Sequence, residues 1–101
     1  MTSPGDAEWF AERTAGAPQV LRARASDYLS QAAPAPLATR LSYAGRAALA
    51  ASTRDGAGRG AALDLLAADA LITLALLAAA EQEPGTLASA AVTLRAAAAS
   101  P

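Results

Sequence analysis

The chain reads as an all-α protein, and three observations carry that reading. Alanine fills 32 of the 101 positions and leucine another 14, so two of the best helix formers dominate the composition. Apolar residues recur at three- and four-residue spacing between punctuation marks made of Gly and Pro. No stretch alternates with the two-residue period of a half-buried strand. The expected architecture is one domain over residues 1–101. It is a small antiparallel, up-down bundle of four longer helices preceded by a short N-terminal helix.

The short helix is predicted to start at Pro4, with Ser3 as its cap and Asp6 completing a capping box. Gly16 and Pro18 end it, Gly16 in the left-handed position that closes many helices. Trp9 and Phe10 are the large hydrophobic aromatics of the chain and sit on this element. They are expected to pin it across the bundle, with an exposed protein-binding anchor as the sharper alternative.

Pro18 opens a second helix to about Ala33, with Leu21, Ala25, Tyr28, Leu29 and Ala32 along one stripe. Pro34 and Pro36 break the chain, and Pro36 starts a third helix to about Ser52. Its inner stripe is Leu37, Leu41, Ala44, Gly45, Ala48 and Leu49. Gly45 costs up to ~1 kcal/mol against alanine but lets another backbone approach closely. Arg40, Tyr43 and Arg46 fall on the opposite side.

A glycine-rich connector, Arg54 to Gly60, leads into the fourth helix, Ala61 to Gln82. Between Arg59 and Glu81 only Asp64 and Asp69 are charged. This helix is predicted to be the most buried. Glu83-Pro84-Gly85 turns the chain, and Thr86 caps a fifth helix to about Ala98, with Leu87, Ala91, Leu94 and Ala98 inward. Small residues on these last two helices predict a close approach of their axes.

Composition excludes several chemistries. The chain holds no Cys and no His, which removes thiolate nucleophiles, Ser-His-Asp triads and zinc or haem sites built on those ligands. Di-metal carboxylate bundles need Glu-x-x-His pairs, and the glutamates here cluster near helix ends. No catalytic, metal-ligating or cofactor-binding residue is therefore expected. A net charge of −1 offers no field for nucleic acid or anionic lipid. The segment Ala61–Ala80 has the length of a membrane span, but two aspartates would each cost ~2.5–3.5 kcal/mol near its centre, so insertion is not expected. The N-terminus carries acids before any apolar run and no basic region, so no secretory signal is expected. A cytoplasmic setting fits.

Three weaker patterns have ordinary explanations. Gly56 to Gly60 before a helix resembles a phosphate loop only loosely, lacking both its spacing and a preceding strand, and reads as a connector. Arg40, Tyr43 and Arg46 are too few for a nucleic-acid face. Asp69 is read as lying on a narrow solvated seam with Thr73, the alternative being a buried pair with Arg40, Arg46 or Arg95. Asp64 is placed on an exposed edge.

The positive functional expectation follows from core size. Leu, Ile, Val and Phe total 18 residues, and an alanine core buries little area per residue at ~25 cal/mol per Å². Such a bundle is marginal alone, and association is the natural remedy. The reading is a non-enzymatic interaction module, a homo-oligomer or the small subunit of a complex. Its partner-facing residues are expected at Leu71, Leu74, Leu87 and Leu94, with Trp9 and Phe10 contributing. The alternative is a small-ligand binder or enzyme using alanine-lined space, with Tyr28, Arg40, Tyr43 and Asp69 as orienting groups.

Overall fold

A computed structural model of the chain describes residues 4–54 and 56–82, together with positions 92 and 95. Its secondary structure among these residues is all α-helix. The elements are α1 (Pro4–Arg13), α2 (Gln19–Gln31), α3 (Leu37–Arg54) and α4 (Arg59–Gln82). Positions 92 and 95 are also helical. The expected fifth helix and its axis packing on α4 otherwise lie outside the described residues.

The prolines set the starts. Pro18 and Pro36 each accept the first backbone bond of the helix that follows, from Arg22 N–H and Arg40 N–H, both at 3.0 Å. This is the place where a residue without its own N–H costs nothing. The end of α1 differs from expectation. Gly16 does not adopt a positive φ; among the described residues Gly56 and Gly58 are the glycines that do. The closing residue is Thr14, whose hydroxyl and N–H both donate to the Phe10 carbonyl, at 2.8 and 3.1 Å. Between α3 and α4 the backbone takes φ of +79° at Gly56 and +130° at Gly58, conformations that side-chain-bearing residues avoid.

The core joins α2, α3 and α4 and receives Phe10 from α1. Leu29, Leu37, Leu41, Leu71 and Leu74 are its bulky members, and Ala25, Ala44, Ala48, Ala67, Ala68, Ala75 and Ala78 fill the rest. Small residues on both helices bring α3 and α4 together most tightly at Gly45. A Cβ on Gly45 would stand 2.7 Å from Ile72 Cγ1 and 3.3 Å from the Ile72 backbone nitrogen. The sequence expectation of a close approach at Gly45 holds, with α4 as the partner.

Burial is distributed differently from the expectation. The densest buried face belongs to α3, where Leu37, Arg40, Leu41, Ala44, Gly45, Ala48, Ala51 and Ser52 are all inside. Helix α4 buries one face only: Asp64, Ala67, Ala68, Leu71, Leu74, Ala75 and Ala78. The opposite face carries Leu65, Leu66, Ile72, Leu76 and Leu77 into solvent. A helix that is apolar all round can still bury only the stripe its neighbours cover. Leu49, expected inside, is 43% exposed and lines an open cleft between the end of α3 and the start of α4.

Candidate functional site

Among the described residues the most unusual surface is the outer face of α4. Leu65, Leu66, Ile72, Leu76 and Leu77 are between 37% and 56% exposed. They form an apolar patch on the order of several hundred Å², the size of the largest such patch on a typical monomer, which is often functional. The polar residues on the same face are Asp69 and Thr73, both exposed. The patch continues onto α3. A cleft of about 430 Å³ between the end of α3 and the start of α4 is lined by Leu49, Thr53, Ala61, Ala62 and Leu65.

This face lies on the side of α4 away from the residues expected to meet a partner. Leu71 is fully buried and Leu74 nearly so, both packed in the protein's own core. The correction has a simple cause. Ala67, Ala68, Ala75 and Ala78 lie around them, and only that small-residue stripe allows the approach made possible by Gly45. Leu87 and Leu94 lie outside the described residues. Phe10 is a core residue at 8% exposure, and Trp9 packs at the core's margin. Their pinning role is the one the geometry bears out, and neither is an exposed anchor.

Trp9 and Arg13 also tie α1 to the end of α4. The Trp9 indole N–H donates to Glu81 Oε2 at 2.8 Å, and Arg13 donates to and pairs with Glu81 Oε1. The Arg13 guanidinium lies 5.2 Å from the Trp9 ring centroid, within cation–π range. The Trp9 indole bond, followed by the Arg13 contacts, holds the Glu81 carboxyl below its ordinary range.

The two aspartates of α4 have opposite fates. Asp69 is exposed, in line with the solvated-seam reading. Asp64, expected on an exposed edge, is the buried one at 1% exposure. It accepts from the Tyr28 hydroxyl at 2.9 Å and from Arg24 Nη1 at 3.2 Å. The sequence held a signal for this. Arg24 and Tyr28 are four residues apart on α2, so one helix face presents two donors toward a single acceptor.

Arg40 is also a correction. It is 4% exposed rather than on an outer face, and its Nη2 donates to the Leu29 carbonyl at 2.8 Å. Its charge sits beside the last turn of α2, where the helix dipole is negative. Among the described residues its Nε and Nη1 have no hydrogen-bond partner. With Arg40 inside, Arg46 and the half-exposed Tyr43 do not form the basic surface a nucleic acid needs.

The residues named for a ligand site are only partly brought together. Tyr28 and Tyr43 share an open cleft of about 330 Å³ between α2 and α3 with Ala32, Ala47 and Arg54. Neither Arg40 nor Asp69 lines it. Among the described residues no three acidic side chains gather into a metal-binding group. One described helix, Arg59–Glu81, is long and apolar enough to cross a bilayer by length and composition.

No protein-family model matches the chain, and neither curated protein sequences nor solved structures give a match.

Proposed function

We propose that the protein is a non-enzymatic interaction module that assembles, with itself or as the small subunit of a larger complex, through the outer face of α4. The observation that carries the reading is the exposure of Leu65, Leu66, Ile72, Leu76 and Leu77 on one helix of a small protein. These side chains are about half exposed, so a partner that buried them fully would add roughly half of the ~1.5–3 kcal/mol that complete burial of each is worth. The core they leave behind is alanine-rich, so association would add what the fold lacks. The reading extends to the architecture: an up-down bundle completed by a fifth helix near residues 86–98. The antiparallel run of α3 and α4 within it is supported by Gly45 lying against Ile72 while Leu49 and Leu65 line one cleft. The partner on this reading is protein, not nucleic acid, and the setting is cytoplasmic.

Native mass spectrometry at micromolar concentration tests the proposal. The chain is expected above its monomer mass of 10.0 kDa, as a multiple or with a bound protein. Leu66→Lys combined with Leu76→Lys should return it to the monomer without lowering its helical content. A wild-type chain that stays monomeric and partnerless would overturn the reading.

A further inference from the structure

The outer face of α4 is patterned for a specific partner. Its midline runs through Ala62, Leu66, Asp69, Thr73, Leu76 and Ala80, in alternating steps of four and three residues. That is the repeat of a coiled-coil seam. The line lies opposite Leu71, which is fully buried in the core. Read from either end, it runs small, leucine, polar, polar, leucine, small. The pattern is symmetric about Leu71.

A seam with that symmetry is complementary to itself in one orientation. A two-fold axis pairs each residue with the one equidistant from Leu71 on the other copy, as an isologous interface requires. Two α4 helices running antiparallel then set Ala62 against Ala80, Leu66 against Leu76, and Asp69 against Thr73. The central pair puts a hydroxyl donor on each carboxylate. The parallel arrangement stacks Asp69 on Asp69, two like charges in a drying interface, and loses the donor. Leu65 and Ile72 widen one edge of the seam, and Leu77 the other.

We infer that α4 is the dimerisation helix of this protein, pairing antiparallel with α4 of a second copy in the register that puts Asp69 opposite Thr73. This deepens the assembly reading above and rests on it. At 24 residues, α4 is about 36 Å long. A contact strip of that length and one helix width of about 10–12 Å covers on the order of 400 Å² on each copy, about half of the ~800 Å² per partner of a standard interface.

Cysteine cross-linking reads the register directly, because the chain has no cysteine of its own. The end pair is suited to it, since Ala62→Cys and Ala80→Cys remove no leucine from the seam. In the antiparallel register, position 62 of one copy lies beside position 80 of the other. The two copies of position 62 stand about 27 Å apart, far beyond the ~7 Å limit for a disulfide. The double variant Ala62→Cys/Ala80→Cys should therefore oxidise to a covalent dimer, and each single variant should stay monomeric on a non-reducing gel. Asp69→Leu, which replaces the central charge, should strengthen the dimer several-fold by sedimentation equilibrium. Single variants that cross-link as well as the double would overturn the register while leaving assembly standing. A protein that associates but does not cross-link in the double variant would overturn α4 as the interface. A strict monomer in solution, whether α4 is covered by the chain itself or meets a bilayer, would overturn both this inference and the assembly reading.

Discussion

At the scale of single residues, the two aspartates of α4 make a controlled comparison. They have the same chemistry, sit on the same helix, and lie five positions apart, about 140° around its axis. One must face inward if the other faces out. Asp64 is inside and accepts two hydrogen bonds, from Tyr28 and Arg24. A bond to a charged group is worth ~1.5–3 kcal/mol. Truncation does not strand a buried cation here, because the Arg24 side chain is 38% exposed and can turn to water. Asp64→Ala should therefore cost about 2–3 kcal/mol, less than breaking a fully buried pair. Asp69→Ala should fall within about ±0.5 kcal/mol, as for other surface changes. Both gain the same helix propensity, so that contribution cancels between them. Urea denaturation of the dilute protein measures the difference. Equal midpoints for the two variants would mean that the Asp64 cluster does not hold α2 to α4.

At the scale of elements, the seam between α3 and α4 rests on a missing side chain. A methyl at position 45 would meet Ile72 Cγ1 at 2.7 Å and the Ile72 nitrogen at 3.3 Å. The backbone atom cannot swing away, so the helices would have to part. Overpacking of this kind costs ~1–3 kcal/mol. Gly→Ala inside a helix ordinarily returns up to ~1 kcal/mol of propensity. The steric cost should win, and Gly45→Ala should lower stability. Gly60 is the matched control: it lies in the first turn of α4 with open space around it, so Gly60→Ala should be neutral or stabilising. A denaturation midpoint that rises for Gly45→Ala would show that the seam is looser than its geometry. The same seam shows what was legible beforehand. Pro18 and Pro36 mark the starts of α2 and α3, because proline has few other places to go. Which side of α4 faces the core was not legible. In a nearly continuous run of Ala and Leu, Leu71 and Leu76 look equivalent. What separates them is the alanine lining around Leu71 that can meet Gly45, a property of two helices together. Arg40 was misplaced for a similar reason: the Leu29 carbonyl that draws it inward belongs to a different helix.

At the scale of the whole molecule, the chain closes on itself where its first helix meets the far end of its last described one. Glu81 is the keystone of that closure, accepting from both Trp9 and Arg13. The bond from Trp9 first, and the Arg13 contacts after it, lower its pKa in the folded protein. The sign of the linkage follows. A carboxyl with a depressed folded pKa contributes stability above its unfolded value, ~4.3 for a glutamate. That contribution fades as pH falls through the lower, folded value. The site is solvent-exposed, so the effect is local and weakens in salt. Phe10 remains in the core and keeps α1 docked in part. Acidification below about pH 4 should therefore loosen the Trp9 end of α1 before the other helices melt. Trp9 is the single tryptophan of the chain, which makes the event visible. Its fluorescence should shift toward that of a solvated indole while the far-ultraviolet helical signal holds. In Glu81→Gln, which cannot titrate, the early shift should disappear from the acid titration. If tryptophan emission and helicity instead fall together in both proteins, the closure of α1 onto α4 belongs to the general core and Glu81 does not set it.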